Sequence, residues 1–270
     1  PKPMANKRFD VTHVPGAATI AIVTFLALYI PVLILVVNAF NGSDTAGRWE
    51  GLSLRWFAAA LDNAAFRSAA LNSVIVALAA ALLSTCLATA VALAVTRGRQ
   101  IKGQSSIVII VNQPLLVPEI VFAIALMVVL AQVKQVTGYQ GLGYLIAAHT
   151  TFCIPFAFLP IRARLSGMDL TLETASMDLY AGRFYTFRRV TLPLLLPGIL
   201  AGFMLAFVIS LDNVVVSSLV KSPGQETLPT YLMGELRRNL TSEIYAISAL
   251  LLFASISIVA ASWVITRTKQ

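Results

Sequence analysis

The sequence predicts an all-α integral membrane protein with six transmembrane helices. Of its 270 residues, 58% are hydrophobic and only 12% are charged, which is far from the balance of a soluble domain of this length. Apolar runs of about 20 residues, the length that a helix needs to cross a hydrocarbon core about 30 Å thick, recur along the chain. None alternates like a barrel strand, and backbone amides in lipid must be bonded within a helix.

The six predicted spans are treated as one transmembrane domain over residues 1–270. They are approximately residues 17–40, 68–96, 105–133, 144–165, 193–216 and 243–266. Several contain proline, including Pro118 and Pro155, which membrane helices tolerate and which predicts kinks.

Positive charges predict the orientation. The chain carries 20 Lys and Arg against 12 Asp and Glu, a net charge of +8. With the N-terminus in the cytoplasm, the inner segments hold most of these cations, so both termini are expected inside and the charge needs no nucleic-acid partner. The first span runs into residues 38–41 rather than a small-residue cleavage site, and we expect it to remain as a membrane anchor.

The sequence contains no complete motif for nucleotide binding, metal binding or catalysis. Residues 98–105 have the glycine and serine spacing of a phosphate-binding loop, but Gln104 stands where that loop requires lysine. His13 and His149 have no partner at metal-ligand spacing, and Cys86 and Cys153 fall in different spans, so no metal site or disulfide is expected. A membrane enzyme is therefore disfavoured, and any ATP must be bound by another chain.

One polar segment, residues 172–198, interrupts the apolar runs. Its pattern predicts a helix over residues 168–179, with Leu172 and Ala175 on one face and Glu173 on another. Gly182 predicts a stop, residues 183–190 a second short helix, and Leu192-Pro193 the turn into the fifth span. From the pattern alone, a helix lying on anionic lipid and a docking site for another protein remain equally open.

This segment resembles the cytoplasmic loop of the inner-membrane permease subunits of bacterial ABC importers, whose motif begins Glu-Ala-Ala, continues to a glycine and ends in Leu-Pro. Residues 174–179 match the beginning and Val190-Thr191-Leu192-Pro193 match the end. Thr174 stands where the glutamate is usual, and Tyr180 stands where the glycine is usual. Residues 114–120, 149–156 and 210–218 extend the resemblance over most of the chain, closest to spermidine/putrescine importers.

The resemblance implies a transport subunit of the inner membrane that has no enzymatic activity or cofactor of its own. Expected partners are membrane lipid, a second homologous permease, two cytoplasmic ATPase subunits that bind ATP and Mg²⁺, and an extracytoplasmic substrate-binding protein. The residues expected to couple to the ATPase are Glu173, Thr174, Ala175, Ser176, Met177, Asp178, Leu179, Tyr180, Gly182, Phe184, Arg188 and Arg189. Met177, Leu179 and Phe184 would make apolar contacts, and Asp178, Arg188 and Arg189 polar ones.

Three acidic residues are candidates for a cation path. Glu119 and Asp212 lie inside or at the end of apolar runs, and Glu243 lies at the margin of the last run. An ionisable group at membrane depth is costly, so each is a functional candidate. For Glu119, a carboxyl group that ties helices together is an equal alternative; for Asp212, the equal alternative is a helix cap or a link to the partner permease.

Polyamine import is the function that the resemblance implies, while related branches carry opines, iron and other solutes. A secondary transporter driven by ion gradients through Glu119 and Asp212 is the alternative in another class. Secondary transporters often show repeated halves with broken helices, a pattern not seen in this sequence.

Overall fold

Helices form nearly all of the computed structural model, which describes residues 16–44, 48–98, 103–238 and 242–267. They are α1 (Ala17–Ala39), α2 (Arg55–Asp62), α3 (Ala64–Arg97), α4 (Gln104–Leu116), α5 (Glu119–Thr137), α6 (Gly143–Ser166), α7 (Thr171–Asp178), α8 (Arg183–Thr186), α9 (Leu192–Leu211), α10 (Val215–Val220), α11 (Leu228–Arg238) and α12 (Ser242–Arg267). A π-helical turn, Phe187–Thr191, joins α8 to α9. Extended pairing in the described ranges is limited to a bridge between Asn41 and Leu52.

The predicted spans match these helices closely. In the described ranges, five helical stretches are long and apolar enough to cross a membrane: Ala18–Ala39, Ala64–Arg97, Glu119–Thr137, Gly143–Ser166 and Arg183–Leu211. The sixth predicted span corresponds to α12, whose backbone helix has 26 residues. The all-α membrane class is confirmed, while His13 and residues 99–102 of the basic turn lie outside the described residues.

The third predicted span is divided rather than merely kinked. Val117 is extended (φ −96°, ψ 138°) between α4 and α5 because the ring of Pro118 disfavours helical geometry in the residue before it. Pro118 then precedes the first residue of α5, Glu119. The break sets the carboxylate of Glu119 at a helix start inside the apolar run.

The fifth predicted span also ends earlier than expected. Helix α9 stops at Leu211 instead of continuing to residue 216, and Val215 begins the separate short helix α10. The three residues between them are Asp212, Asn213 and Val214. They are not helical, although the apolar pattern predicts helix up to residue 216. This non-helical segment, residues 212–214, contributes to the site described below.

Residues 64–234 form one compact unit, whose core is the packing of α3, α6 and α9 on one another. The buried residues of α3 and α9 are mostly small: they include Ser73, Ala77, Ala80, Ser84, Ala88 and Ala92 on α3, and Gly198, Gly202, Ala206 and Ser210 on α9. Small side chains let helix backbones approach closely, and that approach supplies the dispersion contacts which hold helices together in lipid.

Helices α6 and α9 approach closely at two glycines. A Cβ atom added to Gly202 would lie 2.8 Å from the carbonyl oxygen of Ala157, and one added to Gly198 would lie 2.6 Å from Cβ of Arg164. Farther along the same interface, the Nε of Arg164 donates to the carbonyl oxygen of Leu194 (2.9 Å). Both glycines are therefore required by space.

The other unit consists of the described residues of 1–63 and 235–270, in which α12 packs against α1 and α2. The buried Asn41 organises its loop, because its Nδ2 donates to the carbonyl oxygen of Arg48 (2.6 Å) and its Oδ1 accepts from the N–H of Glu50 (3.0 Å). At the start of α12, the hydroxyl of Ser242 donates to the carbonyl oxygen of Ser43 (2.6 Å).

Replacing Gly202 by valine is expected to destabilise residues 64–234 by about 1–3 kcal/mol, because overpacking forces α6 and α9 apart. The matched control is the same change at Gly234, where an added Cβ meets nothing within 4 Å. Unfolding can be followed in a Cys86→Ser background by thiol labelling of Cys153, which is buried in this core. Equal unfolding temperatures for the two valine variants would contradict the packing argument.

Candidate functional site

Helix α7 is shorter than the predicted helix over residues 168–179, because a turn separates it from α6. Gly167 ends α6, and the N–H of Met168 still bonds to the carbonyl oxygen of Leu165. The carboxylate of Asp169 accepts the N–H of Thr171 (2.9 Å), and this hydrogen bond lowers the pKa of Asp169. The helix therefore begins at Thr171 and runs to Asp178.

The elbow after α7 is formed by Tyr180, the one non-glycine residue in the described ranges with a positive φ (61°). The N–H of Tyr180 bonds to the carbonyl oxygen of Met177 (2.9 Å), and the N–H of Ala181 bonds to that of Ser176 (3.2 Å). These two bonds are the Schellman motif that ends many helices, with Tyr180 in the position that usually holds glycine. The turn expected from the resemblance is thus made, but by a tyrosine in the left-handed conformation.

The predicted turn at Leu192-Pro193 is wrong. Helix α8, the π-helical turn and α9 form one continuous helical stretch of 29 residues, Arg183–Leu211. Pro193 has no N–H to donate, and just before it the N–H of Leu192 bonds to the carbonyl oxygen of Phe187, five residues earlier. The wider π-helical turn lets the chain pass the proline without ending the helix.

The inward side of α7 is polar. Oε1 of Glu173 lies 3.2 Å from Nε of Arg97, in the last turn of α3, and both side chains are largely buried. One turn later, the hydroxyls of Ser176 and Thr186 lie 3.0 Å apart and join α7 to α8. A cavity of about 600 Å³ adjoins this contact. It is lined by Arg97, Glu173 and several residues of 183–191. Helix α7 is thus held to the unit by a few polar contacts.

The outward side of α7 and α8 is apolar, and we call it the α7–α8 surface. Its members are exposed large side chains: Leu172, Leu179, Tyr180, Phe184 and Tyr185. Met177 is also exposed, but it lines the cavity beside Glu173. Leu179 and Tyr180 are the extreme cases, with 82% and 99% of their surface exposed. Asp178, Arg188 and Arg189 are exposed beside them. An exposed apolar patch with charges around it is typical of an interaction site.

The residues predicted to couple therefore separate into two groups. Glu173 and Ser176 face the unit and hold α7 in place. The others are exposed: Thr174, Ala175, Met177, Asp178, Leu179, Tyr180, Gly182, Phe184, Arg188 and Arg189. Gly182 is extended (φ −65°, ψ 155°) where α8 starts. Only the second group can contact a partner directly.

Two of the three candidate carboxylates share one cavity. A cavity of about 390 Å³ is lined by Glu119, Phe152, Phe156, Asp212 and neighbouring residues of 208–215. Glu119 is half-buried and accepts a hydrogen bond from Nδ2 of Asn213 (2.6 Å), while Asp212 is exposed at the end of α9. The rings of Phe152 and Phe156 lie 5.5 Å apart. Two carboxylates and two aromatic rings on one cavity suit an organic cation.

Glu243 does not line this cavity. It lies in the first turn of α12, in the other unit, and its Oε1 accepts a hydrogen bond from Nδ2 of Asn63 (2.9 Å). A carboxylate at a helix start is stabilised by the helix dipole. The hydrogen bond from Asn63 and the helix start account for Glu243 at this position, and a role in the cation path stays a prediction.

Reasoning from the sequence missed three residues that organise these sites. Arg97, in the last turn of α3, pairs with Glu173 although the two residues lie 76 positions apart in the sequence. Asn213 bridges the cavity, since its Oδ1 also accepts from the N–H of Val216 (2.8 Å). The third is His149, which the sequence pattern shows only to lack partners at metal-ligand spacing; in the described ranges no three ligand-type residues cluster.

Comparison with known proteins decides the family. The model of the family described as the inner membrane component of binding-protein-dependent transport systems matches residues 86–267. The chain belongs to this family. The matched residues include α7, α8 and the cavity with Glu119 and Asp212, so both candidate sites lie within the matched region. As a family member, the chain is a multi-pass permease component of the inner membrane.

Relatives and solved structures agree with this assignment. The spermidine/putrescine transport system permease protein PotC of Escherichia coli K12 is 35% identical over 243 residues, 90% of each chain. The putrescine transport system permease protein PotI of the same strain is 32% identical over 247 residues, 90% of this chain and 88% of that one. A crystal structure of a bacterial ABC transporter involved in the import of the acidic polysaccharide alginate has the same fold, with a TM-score of 0.68 at 14% identity over 93% of this chain and 94% of that one.

Replacing Tyr180 by glycine is expected to raise the stability of the permease by about 0.5–1 kcal/mol, because glycine adopts a positive φ without strain and the exposed ring leaves few contacts to lose. Leu179→Gly is the matched control, since Leu179 is similarly exposed but has a φ of −83°. That control should lower stability. Thermal unfolding of the purified protein measures both changes, and a loss of stability in both variants would contradict strain at Tyr180.

Proposed function

We propose that this chain is one permease subunit of an ATP-driven importer that moves putrescine or spermidine into the cytoplasm. The observation that carries the substrate class is the pairing of Glu119 and Asp212 with Phe152 and Phe156 on one cavity. The names of two relatives, which are permease proteins of spermidine/putrescine and putrescine transport systems, support the same class. Alginate, the cargo of the transporter with the similar fold, has the opposite charge, so the fold alone does not choose the solute.

The chemistry of the cavity matches a polyamine in both of its parts. Protonated polyamines carry ammonium groups separated by methylene chains. Carboxylates attract the ammonium groups, and aromatic faces attract cations and also cover methylene groups. Asp212 is exposed and Glu119 only half-buried, so binding in the cavity is weak enough for the solute to leave again, as transport requires.

The α7–α8 surface is the proposed docking site of a cytoplasmic ATPase, which binds ATP and Mg²⁺. A second homologous permease carries the other ATPase, and an extracytoplasmic binding protein delivers the solute. The polar inward side of α7 supports this choice over lipid contact. A helix that lies on lipid needs no rigid link to the unit, whereas one that transmits force needs a link such as the Arg97–Glu173 pair.

The proposal sets the orientation of the chain. Both termini and the α7–α8 surface lie in the cytoplasm, as the positive-inside rule favours. Helix α9 has 20 residues, so Leu211 lies about 30 Å from Leu192 along the axis. The cavity beside Asp212 then opens toward the extracytoplasmic side, where the binding protein releases its solute.

Replacing Leu179 and Phe184 by serine is expected to weaken ATPase binding by about tenfold or more, as loss of central apolar anchors does at protein interfaces. The matched control is Val136→Ser on α5, because Val136 is 88% exposed but far along the chain from α7. Co-purification in mild detergent with the co-expressed ATPase measures the effect. Retention of the ATPase by the double variant would assign the surface to lipid.

Glu119→Gln and Asp212→Asn are each expected to raise the KM for putrescine uptake about tenfold, since a hydrogen bond to a charged group contributes about 1.5–3 kcal/mol. Glu235→Gln, which removes a half-buried carboxylate on α11 that pairs with Arg238 (3.3 Å), is the control. Uptake by the assembled transporter, with competition by spermidine and by noncationic solutes, measures the change. An unchanged KM in both cavity variants would remove the cation path, and competition by a noncationic solute would redirect the substrate class.

A further inference from the structure

His149 is a buried polar side chain for which the proposed function has no use. It lies near the start of α6, inside a membrane-spanning segment, and only 1% of its surface is exposed. A polar group at such depth is costly unless its hydrogen bonds are made.

Both ring nitrogens of His149 are bonded. Nδ1 lies 2.8 Å from the hydroxyl of Ser210, and Nε2 lies 2.9 Å from the hydroxyl of Ser217. A neutral imidazole has one donor and one acceptor, and a hydroxyl can serve as either, so both tautomers satisfy the pair. The ring is saturated by these two serines, which leaves it no free nitrogen for a metal or a solute.

The two serines lie on opposite sides of a helix break. Ser210 is in the last turn of α9, and Ser217 is in α10, while the non-helical segment 212–214 lies between them. One imidazole on α6 therefore holds both ends of that segment. We call this arrangement the His149 clamp, with Ser210 and Ser217 as its other members.

The segment between the clamped ends carries the cavity groups. Asp212 lines the cavity, and Asn213 donates to Glu119 while accepting the N–H of Val216. A non-helical segment has few backbone hydrogen bonds of its own, so its position depends on such side-chain contacts. The separation of the Asp212 and Glu119 carboxylates follows from where the segment is held.

We propose that His149 is a positioning residue of the transport path, which fixes segment 212–214 from both sides and thereby sets the placement of the Asp212 carboxylate relative to that of Glu119. The expected effect of His149 on uptake rests on the proposed function, whereas its expected effect on the mobility of segment 212–214 does not. The clamp acts through Ser210 and Ser217, without contact between His149 and the solute.

The decisive variant removes all three polar groups together. His149→Leu alone leaves two buried hydroxyls without the imidazole, which is destabilising, whereas His149→Leu with Ser210→Ala and Ser217→Ala replaces the imidazole and both hydroxyls by apolar groups and is close to neutral for stability. Thr151→Val, at an exposed position on the same helix, is the control. The single Ser217→Ala variant tests one half of the clamp if His149→Leu fails to fold.

The assembled transporter is measured in lipid nanodiscs by amide hydrogen exchange of residues 211–216, by thermal unfolding and by putrescine uptake. The triple variant is expected to unfold near the wild-type temperature, yet to exchange about tenfold faster in this segment, the effect of losing about one hydrogen bond's stabilisation. The KM for uptake is expected to rise while the maximal rate changes less. The His149→Asn variant, which can still reach Ser210, should fall between the two.

Wild-type exchange in residues 211–216 of the triple variant would overturn the clamp, whatever happens to uptake. Faster exchange with an unchanged KM would also overturn the positioning role. If Glu119→Gln and Asp212→Asn leave uptake unaffected, the proposed cation path fails, and exchange still decides whether His149 holds the segment. The two failures are thus separable.

Discussion

The structure of residues 64–234 depends on the approach of two helix backbones at Gly202. In lipid, water supplies no force that drives apolar helices together, so α6 and α9 associate through close packing, which only small residues allow. The other contacts between these helices lie along the same line. Cys153 reaches the carbonyl oxygen of Ala206 (3.5 Å), and Arg164 reaches that of Leu194. If the backbones were farther apart, His149 could not reach Ser210.

Several polar side chains that join helices lie where a regular helix ends or divides. Glu119 follows the break at Val117-Pro118, Asn213 lies in the gap after α9, and Arg97 closes α3. In each place the interruption of a helix leaves backbone groups or an ionisable side chain that the apolar core cannot satisfy. The partners found there, Asn213 for Glu119 and Glu173 for Arg97, connect separate helices. Polar contacts in this unit therefore join elements that apolar packing alone would leave free to slide.

Much of this fold could be predicted from the sequence, since hydropathy locates spans when the solvent is lipid, and four predicted spans agree with helix positions within a few residues. The breaks were harder to locate, because a proline in an apolar run gives the same signal whether a helix bends at it, as expected at Pro118, or passes it, as at Pro193. The sequence predicts a polar face on α7, but it does not predict that this face points toward the rest of the unit. Glu173 faces inward because it pairs with Arg97. Arg97 lies 76 positions earlier in the sequence, and no local pattern reports such a contact.

The continuity of Arg183–Leu211 has a mechanical consequence. For a helix that tilts as one body about its backbone contact at Gly202, the distance to Phe184 is about 27 Å and the distance to Leu211 about 14 Å, at 1.5 Å per residue. Movement applied at Phe184 would arrive beside Asp212 reduced to about half, and force would arrive about doubled. The stretch is thus a lever with a mechanical advantage of about two, which delivers a larger force over a shorter distance beside Asp212.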